Sequence, residues 1–383
     1  MGLIRLLLAF GVVMHHGYPA TWKTFVGSTF AVQCFFLLSG FYMALVLSGK
    51  YASPRSFYVS RFYRLFPLYW VVLFATVVVS LLWIWQGGGL GPLQSWFSWG
   101  DQLGFASGLF SLLSNILIIG QDAQYFLRLD SGSLVFEAAY YKAAPPHYYM
   151  FQVLPQMWSV ASEIVFYLLA PFLVRLSTPR LALVMLALFA SWAACGYYGF
   201  TGAPWNGRFI PGNLALFILG MLSYRLPVIG NGYAAIPVVV LLCAFYALPE
   251  IWLVTDLISG KGLALWLLIA VSMPAIFKAT AENPVDRFLG ELSYPVYVVH
   301  WPLIHFYGQW FTKTGDYNYW FMSGWRGEWL VFFTSVILSA ALHYFLQVPI
   351  DRYRHDLTQW RRSLRPEGFR QSQAPARRTA PQR

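Results

Sequence analysis

Apolar residues are concentrated in eleven runs along the chain, separated by short polar or basic connections. An apolar run of about 20 residues is long enough to cross the hydrocarbon core of a bilayer as an α-helix. The pattern therefore predicts an all-α fold, a polytopic integral membrane bundle. The runs cover residues 3–19, 29–48, 65–85, 103–120, 157–174, 181–198, 211–226, 233–248, 262–277, 292–311 and 328–348.

The basic residues between the runs predict how the chain crosses the membrane. Connections rich in Lys and Arg lie on the cytoplasmic side. If the run at 103–120 crossed the bilayer as a single span, the later basic connections would lie on the outer side. All of them lie inside only if this run is not a span. We therefore expect about ten transmembrane helices, both termini in the cytoplasm, and a re-entrant or interfacial segment near residues 103–120. The basic residues are Lys50, Arg55, Arg61, Arg64, Arg175, Arg180, Arg225, Lys278 and Arg287.

Composition supports the membrane assignment and separates the C-terminal tail. The chain of 383 residues is 58% hydrophobic and 11% charged, which excludes a set of soluble domains. Much of its net charge of +11 lies in the tail, as expected of a solvated segment near anionic lipid rather than a nucleic-acid-binding arm. We predict a membrane domain at 1–350 and a basic, disordered cytoplasmic tail at 351–383.

Two ionisable residues stand out in the first apolar run. Arg5 and His16 are eleven residues apart, so on a helix they share one face, differing by about 20°, and lie about 16 Å apart along the axis. Such a pair is costly against lipid and is expected to face the bundle interior. A cationic mouth below a buried base suits a substrate with phosphates at one end and a reactive group at the other. The alternative is that Arg5 anchors the helix and His16 is an interfacial hydrogen-bonding residue.

Five separated blocks resemble the acyltransferase-3 family of membrane acyltransferases. They are the pair Arg5 and His16, "AVQCFFLLSGF" from 31, "RFYRLFPLYW" from 61, "MWSVASEIVFYLLAPF" from 157 and "LSYPVYVVHWPL" from 292. The resemblance covers residues 1–350 and implies a standalone form without an SGNH hydrolase-like domain. Many members carry an acidic residue where this chain has Gln33, which weakens any mechanism that needs a carboxylate there.

The resemblance implies an O-acyltransferase of the bacterial cytoplasmic (inner) membrane. Such an enzyme takes an acyl group, usually acetyl, from acetyl-CoA or another acyl-CoA in the cytoplasm. It delivers the group to a hydroxyl of a carbohydrate or glycoconjugate at the outer side, as in polysaccharide modification. The rival hypothesis is a multi-span transporter or exporter of a small molecule or glycan, although the chain shows no internal repeat of the kind that many transporters have.

The resemblance also implies the site residues. As catalytic residues we predict His16, Glu163 and Arg5, with His16 either the general base or a transient acyl acceptor. Glu163 is expected to orient an imidazole, to receive a proton, or simply to satisfy hydrogen bonds in the bundle. The residues predicted to bind the acyl-CoA donor are Arg5, Arg61, Arg64, Ser39, Tyr297 and His300.

Alternatives remain open for several of these residues. Arg61 and Arg64 suit phosphate binding, but cytoplasmic anchoring alone would also explain them. His300 beside Pro302 is also explained by a hydrogen bond to a backbone carbonyl freed by the proline. No local spacing of His, Cys, Asp or Glu is typical of a metal site, so we predict no metal. The external loop at 121–156 contains aromatic residues that suggest either a platform for sugar rings or interfacial anchors: Tyr140, Tyr141, Tyr148 and Tyr149.

Overall fold

A computed structural model describes most of the chain as a helical bundle. The described residues are 1–16, 27–49, 53–142, 144–229, 252–255, 258–313 and 325–353. The predicted run at 233–248 and nearly all of the predicted tail lie outside the described residues.

Except for α4, the described helices follow the predicted apolar runs in order along the chain. In chain order they are α1 (Gly2–His16), α2 (Ser28–Gly49), α3 (Pro54–Trp85), α4 (Gln94–Trp99), α5 (Phe105–Leu117), α6 (Trp158–Leu173), α7 (Thr178–Tyr197), α8 (Ile210–Tyr224), α9 (Gly260–Thr280), α10 (Pro284–Lys313) and α11 (Trp325–Leu342).

Six described helical segments have the length and apolar composition needed to cross a membrane. The described helices α1, α5 and α8 are apolar but shorter. The chain therefore fits a multi-pass membrane protein, while the number of about ten spans stays a prediction. The six segments are Ser28–Gly49, Pro54–Trp85, Pro155–Leu173, Thr178–Tyr197, Gly262–Thr280 and Gly327–Tyr353.

Helices α3 and α10 begin well before the apolar runs that predicted them. Each begins with a proline preceded by a capping side chain, since Ser53 accepts a hydrogen bond from a first-turn amide of α3 and Asn283 does the same for α10. Such pairs favour a helix start even in polar sequence. As a result Arg61, Arg64 and Glu291 lie on regular helix rather than in connecting loops.

Helices α2 and α8 cross at very close range in the centre of the bundle. A Cβ atom added at Gly40 would lie 1.9 Å from the carbonyl oxygen of Phe217, and one added at Gly220 would lie 1.9 Å from that of Leu37. Small residues at reciprocal positions allow two membrane helices to pack backbone against backbone. This crossing fixes α2, and with it the position of Ser39.

The segment predicted to be re-entrant or interfacial contains α5. This helix has 13 residues, which makes it about 20 Å long, shorter than a hydrocarbon core of about 30 Å. Its polar side chains face the protein, whereas most of its large apolar side chains are exposed. That distribution fits a helix with its apolar face toward lipid, and the exact placement stays a prediction. The buried polar residues are Ser107, Ser111, Ser114 and Asn115.

The described fold is mostly helical, as predicted, and it also contains two short antiparallel strand pairs that the sequence patterns did not indicate. Strand β1 (Leu127–Asp130) pairs antiparallel with β2 (Ser133–Phe136) in the predicted external loop. The two turn residues, Ser131 and Gly132, both have positive φ angles, of 49° and 81°. A two-residue turn of this conformation matches the twist of paired strands and closes the hairpin. A second short pair joins β3 (Trp252–Thr255) to β4 (Ile258–Ser259).

Candidate functional site

Helix α1 turns both of its predicted functional side chains toward the protein. Leu3 and Leu7 are each 50% exposed and lie on its outer side. Arg5 lines an internal cavity, with its guanidinium carbon 5.7 Å from the ring centre of Tyr42. His16, eleven residues further on, packs against aromatic residues of α10. One helix face therefore joins the cavity to the histidine.

The cavity beside Arg5 has a volume of about 350 Å³. Side chains from α1, α2, α3, α6, α9 and α10 line it. Four residues predicted to bind the donor come together here: Arg5, Ser39, Arg61 and Arg64. The charged side chains in its lining are Arg5, Arg61, Arg64, Arg287, Glu163, Asp286, Glu291 and Asp351.

The arginines that line the cavity differ in their partners. Arg64 forms an ion pair and a hydrogen bond with Glu291. Arg5 and Arg61 have no ion pair within the described part of the chain, and Arg61 lies 5.8 Å from the ring centre of Tyr167. A guanidinium stays charged at all accessible pH values and donates paired hydrogen bonds to phosphate oxygens. Arg287, the fourth arginine of the lining, is exposed and donates to the carbonyl oxygen of Ala281, so Arg5 and Arg61 are the cavity cations with the fewest polar partners.

Glu163 lies deep in the bundle, where the side chains of two helices meet. Its carboxylate accepts a hydrogen bond of 2.5 Å from Ser39 on α2 and another from Tyr167, one turn further along α6. The structure places Glu163 against hydroxyl groups of the cavity wall, and among the described residues it makes no hydrogen bond to an imidazole. Its carboxylate is therefore positioned to hold α2 against α6 beside the large cavity.

A smaller cavity of about 50 Å³ continues from the large one toward the N-terminal ends of α2 and α6. Arg5 and Glu163 line both cavities, and Ser159 and Tyr297 line only the smaller one. The hydroxyl of Tyr297 lies 2.7 Å from Ser159 Oγ and donates to a backbone carbonyl of the loop before α6. His16 lines neither cavity, so the side chain of Tyr297 lies between the open space and the histidines.

His16 and His300 form a stacked pair at the far end of α1. Their ring centres are 5.6 Å apart with an interplanar angle of 24°, and Trp301 packs edge-on to His16 at 5.3 Å. The Nδ1 atom of His300 lies 2.7 Å from the carbonyl oxygen of Tyr297. Because a carbonyl only accepts, Nδ1 carries the proton, and the buried Nε2 has no hydrogen-bond partner among the described residues.

Arg208, which lies between α7 and α8, is a residue that no sequence pattern indicated. Its guanidinium carbon is 3.9 Å from the ring centre of Tyr125 and 4.8 Å from that of Trp158. The charge on Arg208 also acts electrostatically on His16. The one available signal was its position, since the predicted topology puts it on the outer side, where Lys and Arg are less common.

Aromatic rings of the external loop extend this cluster. Tyr149 stacks on Tyr125 with ring centres 4.4 Å apart, and Tyr140 packs edge-on to Tyr149 at 4.9 Å. Tyr148 is fully buried, and its hydroxyl donates to the carbonyl oxygen of Ser107 at 2.6 Å. The side chain of the fourth predicted loop tyrosine, at position 141, lies outside the described residues. Burial of Tyr148 gives it a packing role.

Gln33, which replaces the acidic residue expected from the resemblance, forms a hydrogen bond with the segment that contains Arg208. Its side-chain amide donates a hydrogen bond of 3.1 Å to the carbonyl oxygen of Asn206. A carboxylate at this position has no proton to donate at neutral pH. The glutamine therefore ties α2 to the chain just before Arg208.

Asp122 is a buried carboxyl group near the start of the external loop. It accepts hydrogen bonds from Ser162 at 3.1 Å and from the backbone amide of Ala123 at 3.0 Å. Burial raises the pKa of Asp122 to about 6, because the ionised form loses its hydration. Asn213 joins the same network through Ser162.

The described residues contain no group of three or more His, Cys, Asp or Glu side chains that could hold a metal ion. The absence of a metal from the whole protein stays a prediction.

Comparison with known families gives a match over most of the chain. A family model described as an acyltransferase domain matches residues 1–345. The matched region contains the smaller cavity, the lining of the large cavity except Asp351, the histidine pair and the Arg208 cluster. No curated protein gives a significant match, and no solved structure does either.

Proposed function

The chain belongs to the acyltransferase-3 family, and we propose that it is a membrane O-acyltransferase that uses acyl-CoA. The donor binds from the cytoplasm, and the acyl group, most simply acetyl, passes to a hydroxyl of a carbohydrate or glycoconjugate at the outer side. We place the protein in the bacterial inner membrane with both termini cytoplasmic.

The observation that carries the proposal is the arrangement along α1. One face of this helix places Arg5 in the large cavity and His16 against His300. Arg5 and His16 are about 16 Å apart along the helix axis. A donor with phosphates at one end and a thioester at the other needs a cationic site and a proton acceptor at separate positions. The helix supplies both on one rigid element, which fixes their spacing.

In this proposal Arg5 and Arg61 bind phosphate oxygens of the donor, because neither has an ion pair among the described residues. Arg64, held by Glu291, shapes the wall beside them. The pantetheine arm extends into the smaller cavity toward Tyr297. The thioester reaches the histidines after Tyr297 rotates away, since its ring lies 5.7 Å from His300.

The chemistry requires one proton transfer and no change of redox state. The acceptor oxygen attacks the thioester carbonyl carbon, the carbon–sulfur bond breaks, and a carbon–oxygen ester bond forms. His16 takes the hydroxyl proton and returns it to the departing thiolate. In the alternative order His16 first receives the acyl group and then passes it to the hydroxyl. Rapid quenching during a single turnover distinguishes the two, because only the second order gives an acyl-histidine.

Ten spans and an interfacial α5 complete the proposal. The outward apolar face of α5 supports that placement, and residues 1–350 form the membrane domain. Labelling of single introduced cysteines with a membrane-impermeant reagent tests it. Sites in the loop at 121–156 should react from outside, and sites at 354–383 only after the membrane is opened.

Reconstitution into liposomes tests the function. Liposomes with the full chain receive labelled acetyl-CoA on one side and extracted cell-surface glycans on the other, and empty liposomes serve as control. We expect loss of acetyl-CoA together with label in the glycans. Glycan or acetyl-CoA flux without any acyl transfer would instead establish a carrier and refute the enzyme.

A further inference from the structure

Arg208 is a partly buried cation that has no counter-charge among the described residues. Its Nε atom is buried and has no hydrogen-bond acceptor in the described structure. Its contacts there are the rings of Tyr125 and Trp158, and it also interacts with the hydroxyl of Tyr125. A buried polar group without a partner is costly, so its presence needs an explanation.

A nearby arginine shows the ordinary alternative. Arg128, on β1 of the same external region, pairs with Asp130 at 3.2 Å and with Glu137 at 3.8 Å. Its charge is balanced within the protein and half open to water. Arg208 has two aromatic faces where Arg128 has two carboxylates.

The geometry around Arg208 favours an anionic ligand. Aromatic faces attract a guanidinium through its flat surface and leave the N–H groups at its edge available. Those edge groups match the paired oxygens of a carboxylate or a phosphate. Arg208 has rings on its flat side and an unpartnered Nε at its edge. These features favour binding of an acid group by the edge of the guanidinium.

The position of Arg208 links this site to the acceptor. Its charge acts on His16, and Trp158, one of its two contacts, directly precedes Ser159 in the wall of the smaller cavity. The bond from Gln33 to the carbonyl of Asn206 holds the approach to Arg208 in place.

We propose that Arg208 is an acceptor subsite that binds an acid group, a carboxylate or a phosphate, on the carbohydrate to be acylated. The substrate class is then an acidic glycan, whose acid lies on the guanidinium edge while a hydroxyl of the same glycan approaches His16. This inference rests on the proposed function, because it takes the outer side to be the acceptor side.

A binding experiment with defined sugars tests the subsite. The full chain is placed in nanodiscs of zwitterionic lipid, so that anionic headgroups do not compete. Three probes are compared by saturation-transfer NMR: a glucuronate-containing disaccharide, the neutral glucose disaccharide of the same linkage, and glucose 6-phosphate. We expect at least one acidic probe to bind about tenfold more tightly than the neutral one, and the two acidic arms show which acid is preferred.

Variants assign that preference to a residue. Arg208→Gln should abolish the preference for acid, and Arg208→Lys should retain part of it, because the charge remains but the paired donors are lost. Arg128→Gln, the matched control, should leave the preference unchanged. Equal binding of acidic and neutral probes by the wild-type protein would overturn the proposal, even if Arg208→Gln failed to fold. A preference that persists in folded Arg208→Gln would also overturn it.

The design separates this inference from the proposed function. Probe binding is measured without acyl-CoA, and acetyl-CoA binding is measured in parallel on the same samples. If the wild-type protein shows no preference for acidic probes but still binds acetyl-CoA, the subsite is refuted and the proposed function is not. Acid preference without acetyl-CoA binding by the wild-type protein would support the subsite and count against the acyltransferase proposal.

Discussion

The cavity beside Arg5 and the cluster around Arg208 are called the inner and the outer region here, after the predicted topology. The two regions differ in how they accommodate charge. The cavity is open, and four arginines and four carboxylates line it within about 350 Å³. The outer region packs a phenol ring and an indole ring against a single guanidinium, that of Arg208, and Tyr149 stacks on the first of these rings. Solvated space and counter-charges allow many ions to coexist, whereas close-packed rings hold few charges and leave those few available to a ligand.

The two regions suit two different steps, donor binding and proton transfer. Binding a polyanionic donor needs several cations that water can reach, because binding exchanges hydration for ionic hydrogen bonds. Proton transfer at an acceptor hydroxyl needs a neutral imidazole held in a fixed orientation. Tyr297 lies at the boundary between the two regions and contacts both.

The largest expected effect is that of His16→Ala, which should lower kcat without changing the affinity for acetyl-CoA. His16→Ala should lower kcat by about 10²–10⁴-fold, because the transition state loses its proton acceptor. Acetyl-CoA affinity should stay unchanged, since His16 lines neither cavity. His15→Ala is the matched control: His15 is the adjacent, exposed histidine and should retain nearly full activity. Equal loss in both variants would remove His16 from the mechanism.

A difference in pH dependence tests the outer region. The folded pKa of Asp122, about 6, lies above its ordinary value of 3.8. Its contribution to stability is therefore present below pH 4 and lost as the pH rises to about 6. In Asp122→Asn that loss should disappear, a difference of up to about 3 kcal/mol between the two proteins.

Thermal unfolding in detergent between pH 4 and 7 measures the effect. The melting temperature of the wild-type protein should fall with rising pH relative to that of Asp122→Asn. Parallel curves would show that the buried carboxyl of Asp122 does not titrate in this range.

The inner region is tested through donor binding. Arg61→Ala should weaken acetyl-CoA binding about tenfold and reduce its salt dependence, because one charged hydrogen bond to phosphate is lost. Arg64→Ala should have a smaller effect on affinity, since Arg64 already pairs with Glu291. Equilibrium binding at two salt concentrations gives both numbers. Unchanged affinity in both variants would refute the phosphate-binding role.

The smallest expected effect concerns the segment before Arg208. Gln33→Leu removes one hydrogen bond to the carbonyl of Asn206 and should lower stability by about 1 kcal/mol. Acid selectivity in the sugar-binding assay should weaken with it, while acetyl-CoA affinity stays constant. A fall in acetyl-CoA affinity instead would mean that the two regions are coupled through α2.

Sequence patterns predicted the scaffold more fully than the contacts made on it. The apolar runs located the described spanning helices, because hydrophobic length is a local property. They placed the start of α3 too late, since hydropathy ignores the capping by Ser53 that extends the helix through Arg61 and Arg64. The external hairpin was also missed, although the Ser131 and Gly132 turn was a local signal for it.

Some features of the candidate site were likewise predictable from the sequence, and others were not. The spacing of Arg5 and His16 along one helix determined that they share a face, because helical rotation per residue is fixed. The partners of Glu163 were beyond any spacing rule, since Ser39 meets it from a helix distant in sequence. Arg208 carried no motif, and its importance comes from the rings packed around it.

The sequence by itself thus determined the membrane class, the family and the shared face of Arg5 and His16, all of which follow from local patterns. Only the tertiary structure decided which arginines are neutralised, where the cavities end and what surrounds Arg208. Those outcomes depend on contacts between helices far apart in the chain, and the packing of the whole bundle sets their distances.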